Sequence, residues 1–326
     1  MTLRLGLLST AHINLKLLGG VRAAEGVEVV AVASREHERA EAYAAEHGIA
    51  RAHGSYEALL ADDEVDAVYV PLPNSLHVPW SIRALQAGKH VLAEKPLTRR
   101  PEEAQAAFDA ADRAGRVLAE AFMWRHHPQA VRLQELVRER AIGNLRLIRG
   151  TFCFDLVSAD DPGNVRLDAT LDGGGLMDVG SYCVSAMRLL AGEPERVSGR
   201  QVVSGPDGVD VRFAGTLAFA GGVLGAFDCG LDMTPRAQLE VIGDAGMLVL
   251  PDPWHSVEPR IELRREQGTE VIEVEPRNPY ACELEDFAAA VAGERPHRFA
   301  RDDAVGQART IAALYRSAEF GADAVP

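Results

Sequence analysis

Two short motifs hold the side chains best suited to chemistry in this 326-residue chain, a lysine in one and a tyrosine in the other. Lys95 stands in Glu94-Lys95-Pro96, directly after a predicted strand, where open α/β sheets collect ligands. A lysine in a partly dry cleft can hydrogen-bond a substrate oxygen and lower the pKa of a neighbouring acid–base group. A solvated Glu–Lys pair at the end of the sheet is the alternative. Since burying such a pair is costly unless it is used or satisfied, the catalytic interpretation is favoured.

The tyrosine follows a glycine-rich loop at the predicted start of a helix. The segment is Gly173-Gly174-Gly175-Leu176-Met177-Asp178-Val179-Gly180-Ser181-Tyr182. Because Asp178 and Tyr182 are four residues apart, we expect both on one helix face, pointing into the same cleft. The ordinary pKa of tyrosine is about 10, so a base at neutral pH needs a nearby cation such as Lys95. A Tyr–Asp contact that serves packing alone is the alternative.

The turn after the first predicted strand carries a weaker signal for a dinucleotide. Where such folds have G-x-G-x-x-G, all three glycine positions are substituted. The residues of this turn are Ser9, Thr10, Ala11, His12 and Ile13. Ser9 and Ala11 are small enough to let backbone N–H groups approach a pyrophosphate at a helix N-terminus. An ordinary turn without a ligand is the alternative.

The end of the second predicted strand indicates the choice of nicotinamide cofactor. An acidic residue for the ribose 2′-hydroxyl of NAD is absent there, and Ser34 and Arg35 follow the strand, with Arg39 one helical turn later. A guanidinium and a hydroxyl suit a 2′-phosphate. This pattern favours NADP(H) over NAD(H). The alternative is that Ser34 caps a helix and Arg35 is solvated.

The N-terminal elements predict a doubly wound domain. From residue 3 to about 120, short apolar or β-branched runs alternate with Ala-, Glu- and Arg-rich stretches of helical period. The predicted strands are 4–8, 28–33, 67–70, 90–93 and 117–119, and the predicted helices are 15–24, 36–47, 75–87 and 101–114.

After residue 123 the pattern changes to strands in succession. Turn pairs such as Asp207-Gly208 and Gly221-Gly222 separate them. This half predicts an α+β domain with a large open, mostly antiparallel sheet. Its predicted strands are 145–154, 197–204, 212–218, 223–229, 238–242, 247–250, 261–265 and 271–274, and its helices are near 128–140, up to 190, 281–291 and 302–320.

Composition excludes several classes of partner. The formal net charge of −14 comes from acidic residues spread along the chain, which repel nucleic acid and anionic membranes. The four cysteines have no C-x-x-C spacing, so we expect reduced thiols and no metal site. Neither an export signal nor 18 consecutive apolar residues are found, and the expected location is the cytoplasm.

Taken together, the motifs resemble the Gfo/Idh/MocA oxidoreductases, in the branch that includes dimeric dihydrodiol dehydrogenase, NADP-dependent xylose dehydrogenase and sugar 3-ketoreductases. The resemblance covers nearly the whole chain. It rests on Glu94-Lys95-Pro96, on Pro-Leu-Pro-Asn-x-x-His at 71–77, on Ala-Phe-Met-Trp-Arg at 121–125 and on the glycine-rich segment up to Tyr182. Two departures from the broad family, the substituted glycine turn and a tyrosine where many members carry histidine, are usual in this branch.

The resemblance implies roles for individual residues. Lys95 is the cleft lysine, with a cis peptide bond before Pro96, Tyr182 accepts or donates the proton, and Asp178 orients the substrate or the base. The implied cofactor-binding residues are Ser9, Thr10, Ala11, His12, Ile13, Ser34, Arg35, Arg39, Leu72, Pro73, Asn74, His77, Glu94, Lys95, Trp124 and Arg125. The implied substrate-binding residues are Lys95, Arg125, His127, Arg166, Asp178 and Tyr182.

It also implies an organisation of the chain. An NADP-binding Rossmann domain would span 1–122, and a domain for substrate binding and oligomerisation would span 123–326. Homodimers or homotetramers would form through the C-terminal sheet, since 223–229 and neighbouring strands are apolar enough for such a contact.

The substrate stays open at this point. A free aldopyranose oxidised at C1, a nucleotide-linked 3-ketosugar reduced at C3 and a dihydrodiol all fit. Arg125, His127 and Arg166 could receive a phosphate or hydrogen-bond hydroxyls, but a diphosphate needs a denser basic lining, so an unphosphorylated sugar or polyol is favoured. A nicotinamide-sensing regulator is the alternative outside enzymes. The presence of Lys95 together with Tyr182 favours an enzyme.

Overall fold

The structure is a computed structural model that describes residues 2–158, 163–205 and 208–326. Its contacts group the chain into two compact units. The N-terminal unit consists of Met1–Thr98, Glu102–His126 and Asn278–Val305, and the C-terminal unit consists of Arg99–Pro101, His127–Arg277 and Gly306–Pro326. Asp207, in the predicted Asp207-Gly208 turn, lies outside the described residues.

The N-terminal unit contains a parallel sheet in the order β3-β2-β1-β4-β5-β6. Its strands are β1 (Leu3–Leu8), β2 (Val27–Ala33), β3 (Arg51–His53), β4 (Ala67–Val70), β5 (His90–Glu94) and β6 (Leu118–Ala121). The connecting helices are α1 (Asn14–Ala23), α2 (His37–His47), α3 (Tyr56–Leu60), α4 (Asn74–Gln86) and α5 (Pro101–Ala114). The direction of winding reverses between β1 and β4, which is where such sheets bind ligands.

The sequence pattern missed β3 and α3. β3 has three residues, two of them basic, and α3 has five, so neither is long enough to show a period. The central strands follow the prediction because buried parallel strands are continuous apolar runs, as in Ala67–Val70, all of whose residues are buried.

The C-terminal unit contains a sheet in the order β14-β13-β12-β11-β7-β10-β9-β8. Its strands are β7 (Leu145–Asp155), β8 (Pro194–Val203), β9 (Asp210–Phe219), β10 (Leu224–Gly230), β11 (Asp232–Gly243), β12 (Met247–Leu250), β13 (Arg260–Arg265) and β14 (Gly268–Glu273). The pairing of β10 with β7 is parallel and the other pairings are antiparallel. The predicted fold class is confirmed.

One face of this sheet packs against helices, and the other carries charge. On the covered face, α7 (Ser181–Ala191), which follows α6 (Pro128–Arg138), approaches Gly150 so closely that an added Cβ would lie 3.3 Å from Cys183 Cβ. On the opposite face Arg236 pairs with Asp228 at 3.4 Å. Alternation along β10 buries Phe227. Leu224 is exposed on the outward face. Assembly through 223–229 and the neighbouring strands stays a prediction.

Helix α8 (Pro279–Val291) returns to the N-terminal unit and packs on α1. A Cβ at Gly20 would lie 2.5 Å from Tyr280 Cβ. The backbone of α1 at Gly20 therefore contacts the Tyr280 side chain of α8. The last helix, α9 (Arg301–Phe320), contributes its first turn to the N-terminal unit and the rest to the C-terminal unit. The predicted domain ranges of 1–122 and 123–326 stay a prediction. Within the described residues, no helix is both long and apolar enough to cross a membrane.

Candidate active site

Lys95 lies on a turn at the carboxyl end of β5 that several hydrogen bonds hold in place. The Lys95–Pro96 peptide bond is cis, which confirms that expectation. The Glu94 carboxylate accepts a hydrogen bond from the Tyr69 hydroxyl and another from the Lys95 amide at 3.1 Å. The Glu120 carboxylate accepts one from the Leu97 amide at 2.7 Å. The backbone on both sides of the half-buried lysine is thereby fixed, as a positioned hydrogen-bond donor requires.

His77 joins this turn to the one after β4. Its buried ring contacts the carbonyl oxygens of Pro96, from Nδ1 at 2.9 Å, and of Leu72, from Nε2 at 2.7 Å. The pKa of His77 is lowered to about 4, and burial is the main cause. The two carbonyl contacts act in the opposite direction, because they favour the protonated ring. The histidine thus braces the loop containing Leu72, Pro73 and Asn74 against the lysine turn. Its predicted contact with the cofactor stays a prediction.

The turn from Ser9 to Ile13 has the geometry of an anion-binding helix start. Ser9 adopts a φ of 144°, and its hydroxyl accepts a hydrogen bond from the Ala11 amide at 3.2 Å. Ile13 precedes α1, no side chain among the described residues caps this end, and the first turn has no acidic residue. The Asn14, Leu15 and Lys16 amides donate hydrogen bonds to backbone carbonyls of the preceding turn. The helix dipole and the absence of an acidic side chain favour a phosphate here. These residues fit the pyrophosphate of a dinucleotide.

Ser34, Arg35 and Arg39 lie together after β2. The Ser34 hydroxyl accepts a hydrogen bond from the Glu36 amide at 3.3 Å, and Arg35 and Arg39 are exposed. Helix α2 starts at His37, so Ser34 is not its cap. Both guanidinium groups lie close enough to Tyr56 to lower its pKa, although burial, the larger effect, raises it. Two arginines at this position fit the 2′-phosphate of NADP.

Trp124 and Arg125 follow β6 and are almost fully buried. The Arg125 guanidinium pairs with both oxygens of the Asp303 carboxylate, with Nη2 3.0 Å from Oδ1, and lies 3.7 Å from the centre of the Phe299 ring. Its charge is therefore compensated within the N-terminal unit. Binding of substrate or cofactor by Arg125 stays a prediction.

In the C-terminal unit, Asp210 holds the glycine-rich loop that leads to Asp178 and Tyr182. One carboxylate oxygen accepts a hydrogen bond from the Leu176 amide at 2.7 Å, and the other accepts one from the Tyr315 hydroxyl at 2.8 Å. Gly174 has a φ of 120°, and a Cβ there would clash with the same carboxylate. Glycine is thus required by conformation and by space. Sequence reasoning missed Asp210, since an aspartate at a strand start is typical of a turn.

Asp178 and Tyr182 lie on either side of a change in helical winding. Leu176–Gly180 forms a π-helical turn that continues into α7. Such turns are frequent at functional sites. The Arg166 guanidinium pairs with the Asp178 carboxylate, with Nε 3.1 Å from Oδ2, so the structure brings these two predicted substrate residues together. The Tyr182 ring, 7% exposed, packs edge-on against Phe152 with centroids 5.3 Å apart.

His127 caps a helix. Its Nδ1 accepts a hydrogen bond from the Gln129 amide at 3.1 Å at the start of α6, and the side chain is fully buried. Burial lowers its pKa, so the ring is neutral at pH 7. This contact explains the residue structurally, and its predicted contact with substrate stays a prediction.

The buried Asp210 predicts a pH effect on stability. Burial raises the pKa of this carboxyl from 3.8 to about 6. The unfolded chain therefore loses the proton first, and the stability associated with the protonated form is lost as pH rises from about 4 through 6, by up to about 3 kcal/mol. Asp210→Asn, which cannot ionise, should gain stability relative to the wild type over this interval, measured as the midpoint of urea unfolding.

Asp244→Asn is the matched control. Hydrogen bonds from Asn144 lower the pKa of the exposed Asp244 to about 2, so its contribution is constant above pH 4.5. A constant difference between wild type and Asp210→Asn from pH 4.5 to 7 would contradict the prediction.

Comparison with known proteins assigns the family. The family model described as an oxidoreductase family with an NAD-binding Rossmann fold matches residues 7–122, and the model of the GFO/IDH/MocA C-terminal domain matches residues 130–249. D-xylose 1-dehydrogenase (NADP(+)) 2 of Haloferax volcanii is 42% identical over 323 residues, which cover 97% of this chain and 98% of that protein.

Two solved structures are similar over all or nearly all of their length. A 3-ketoreductase from Actinomadura kijaniata in complex with NADP and TDP-benzene has a TM-score of 0.90 and 32% identity, covering 97% of this chain and 98% of its own. An aldose-aldose oxidoreductase from Caulobacter crescentus complexed with glycerol has a TM-score of 0.91 and 27% identity, covering 100% of both chains. The resemblance seen in the sequence motifs is confirmed, and the chain belongs to the Gfo/Idh/MocA oxidoreductase family.

Proposed function

We propose that the protein is an NADP-dependent sugar dehydrogenase that oxidises the C1 hydroxyl of a free aldose. The observation that carries this proposal is the 42% identity, over nearly the whole of both chains, to an NADP-dependent D-xylose 1-dehydrogenase. The charges support an uncharged sugar, because Arg125 and Arg166, the two arginines considered for a substrate phosphate, each pair with a carboxylate.

The chain's own residues divide the work of binding and proton transfer. The Ser9–Ile13 turn binds the pyrophosphate, and Arg35 and Arg39 bind the 2′-phosphate. NADP held by these residues would supply the hydride acceptor for C1. Tyr182 takes the proton of the C1 hydroxyl at its Oη, Lys95 Nζ donates a hydrogen bond to a sugar oxygen, and Asp178 orients the sugar. Loss of one hydride and one proton leaves the lactone.

The cofactor proposal predicts a selective effect of Arg35. Arg35→Ala should raise the Kd for NADP by about 10- to 100-fold, since a charge-assisted contact to the phosphate is lost, and leave the Kd for NAD nearly unchanged. Fluorescence titration with both dinucleotides measures this. Arg22→Ala, which removes an exposed arginine from the last turn of α1, is the control. Equal losses for NADP and NAD would refute recognition of the 2′-phosphate by Arg35.

The substrate proposal is tested by a screen of nicotinamide absorbance. NADP and NAD are each combined with aldoses, inositols, glucosides and cyclic diols at neutral and alkaline pH. Turnover of a free aldose with NADP is the expected result. If no compound of the panel is turned over although NADPH binds tightly, the proposal of a free aldose substrate is refuted.

A nucleotide-linked ketosugar reductase is the second candidate. The similarity to the Actinomadura kijaniata 3-ketoreductase, with a TM-score of 0.90, favours it. Oxidation of NADPH by a dTDP-linked 3-ketosugar, without turnover of free aldoses, distinguishes this function from the first.

We also propose that the protein assembles into homodimers or homotetramers through the C-terminal sheet and that it is cytoplasmic. Light scattering of the purified protein checks the assembly, which a monomer at assay concentration would contradict.

A further inference from the structure

Two histidines and an aspartate form a buried cluster in the N-terminal unit. His126 lies beyond β6, Asp286 on α8, and His297 in the segment between α8 and α9. Their side chains are 1%, 3% and 4% exposed, respectively. Because His126 is far from Asp286 and His297 in the sequence, no motif indicated the cluster, and the sequence alone predicted no metal site.

The spacing of the three side chains fits the coordination shell of a small cation. Asp286 Oδ2 lies 3.4 Å from His126 Nδ1 and 3.4 Å from His297 Nε2, and one ligand atom from each residue lies within 4.8 Å of the others. Zinc binds nitrogen and carboxylate oxygen at about 2.0–2.2 Å with tetrahedral geometry, which places neighbouring ligand atoms roughly 3.4 Å apart. The distances from Asp286 Oδ2 to His126 Nδ1 and to His297 Nε2 both match this ligand–ligand separation.

The hydrogen bonding of the imidazoles points to a missing partner. Among the described residues, neither ring nitrogen of the buried His126 has a hydrogen-bond partner, and His297 Nε2 has none. Leaving such groups unsatisfied in the protein interior is costly. His297 Nδ1 lies 2.8 Å from the Phe299 carbonyl oxygen, an arrangement in which Nδ1 donates and Nε2 offers its lone pair to the cluster. Metal-binding histidines commonly have such a partner on the second nitrogen.

The surrounding charges leave one carboxylate oxygen for a ligand. Arg295 pairs with Asp286 Oδ1, and Oδ2 accepts a hydrogen bond from the Arg298 amide at 3.3 Å, which leaves a second lone pair on Oδ2 for a ligand. The guanidinium of Arg125 is paired with Asp303. A cation at Oδ2 therefore shares the carboxylate with Arg295 through different oxygens.

We propose that His126, Asp286 and His297 bind one divalent transition metal ion, zinc first among them. Two imidazole nitrogens and one carboxylate oxygen favour zinc, cobalt or nickel over magnesium and calcium, which prefer oxygen ligands. Water would complete the tetrahedron. The ion ties the segment after α8 to the end of β6, next to Trp124 and Arg125. It takes no part in hydride transfer, so the proposal is independent of the substrate.

Metal titration of the full chain tests this site. Protein treated with dipicolinate and dialysed is titrated with ZnCl2 by calorimetry and with CoCl2 by visible absorption. We expect one equivalent to bind, a higher melting temperature with zinc, and cobalt bands typical of four- or five-coordination. His126→Phe and His297→Gln should each weaken binding by at least about 100-fold, because a ligand is lost. His37→Gln, which removes an exposed histidine, should bind like the wild type.

Two results would overturn the proposal. The first is the absence of stoichiometric uptake by the wild type. The second is uptake unchanged in both variants, which would mean an adventitious ion only. If His126→Phe does not fold, His297→Gln decides, since it changes a residue outside the helices and strands and glutamine lacks the imidazole ligand.

Discussion

Replacing Tyr182 by phenylalanine is expected to lower kcat for sugar oxidation by about 10²- to 10⁴-fold, the usual contribution of general acid–base catalysis. The ring contacts with Phe152 and Trp254 do not involve the hydroxyl, so the packing of α7 should survive the change. Removing the proton acceptor costs about 3 to 5 kcal/mol of transition-state stabilisation. Steady-state rates with the aldose found in the screen measure the effect.

The pH profile separates catalysis from packing. In the wild type the rate of oxidation should rise with pH, because the reaction releases a proton through Tyr182, and in Tyr182→Phe this rise should vanish. Tyr43→Phe, which removes a buried hydroxyl from a half-buried side chain on α2, is the matched control and should keep the wild-type profile. A Tyr182→Phe variant with full activity would eliminate the tyrosine as the acid–base group.

Lys95→Ala is expected to lower kcat by about 10²- to 10³-fold and to leave the Kd for NADP within about threefold. In the proposed mechanism the lysine donates a hydrogen bond to a substrate oxygen, while the proposed contacts with the pyrophosphate and the 2′-phosphate lie elsewhere in the N-terminal unit. Because the turn is held by Glu94, Glu120 and His77 through the backbone, its shape should not depend on the lysine side chain.

Lys16→Ala is the control for this variant, since Lys16 is exposed on α1. Measuring kcat and the NADP Kd on the same preparations distinguishes loss of catalysis from loss of cofactor. Unchanged turnover in Lys95→Ala would exclude the proposed role, and a Kd raised in proportion to the loss of kcat would mean that the lysine binds cofactor instead.

Much of the fold was accessible from the sequence because its signals are local. Buried parallel strands such as β4 are apolar runs, and α5, with a proline at its start and a glycine after its end, was predicted at its observed bounds. The Lys95 turn and the Tyr182 loop stand in contiguous motifs, so their positions followed from the order of strands.

The remainder depends on contacts between distant residues. Asp210 supports the glycine loop from another strand, and Arg166 pairs with Asp178 across a turn. The π-helical turn at Leu176–Gly180 cannot be distinguished by composition from an ordinary helix start. The apolar run 223–229 does not by itself indicate which side chains face the core, and the structure places Phe227 inside and Leu224 outside.

The return of α8 to the N-terminal unit has a consequence for the order of folding during synthesis. On the ribosome, β1 to β6 emerge well before Tyr280, so the surface at Gly20 stays uncovered until most of the C-terminal unit has been translated. The apolar surface of the nascent parallel sheet stays exposed until α8, which is near the C-terminus, has been synthesised. A fragment that stops at residue 122 would be released in that incomplete state, which makes it a poor choice for expressing the cofactor-binding half alone.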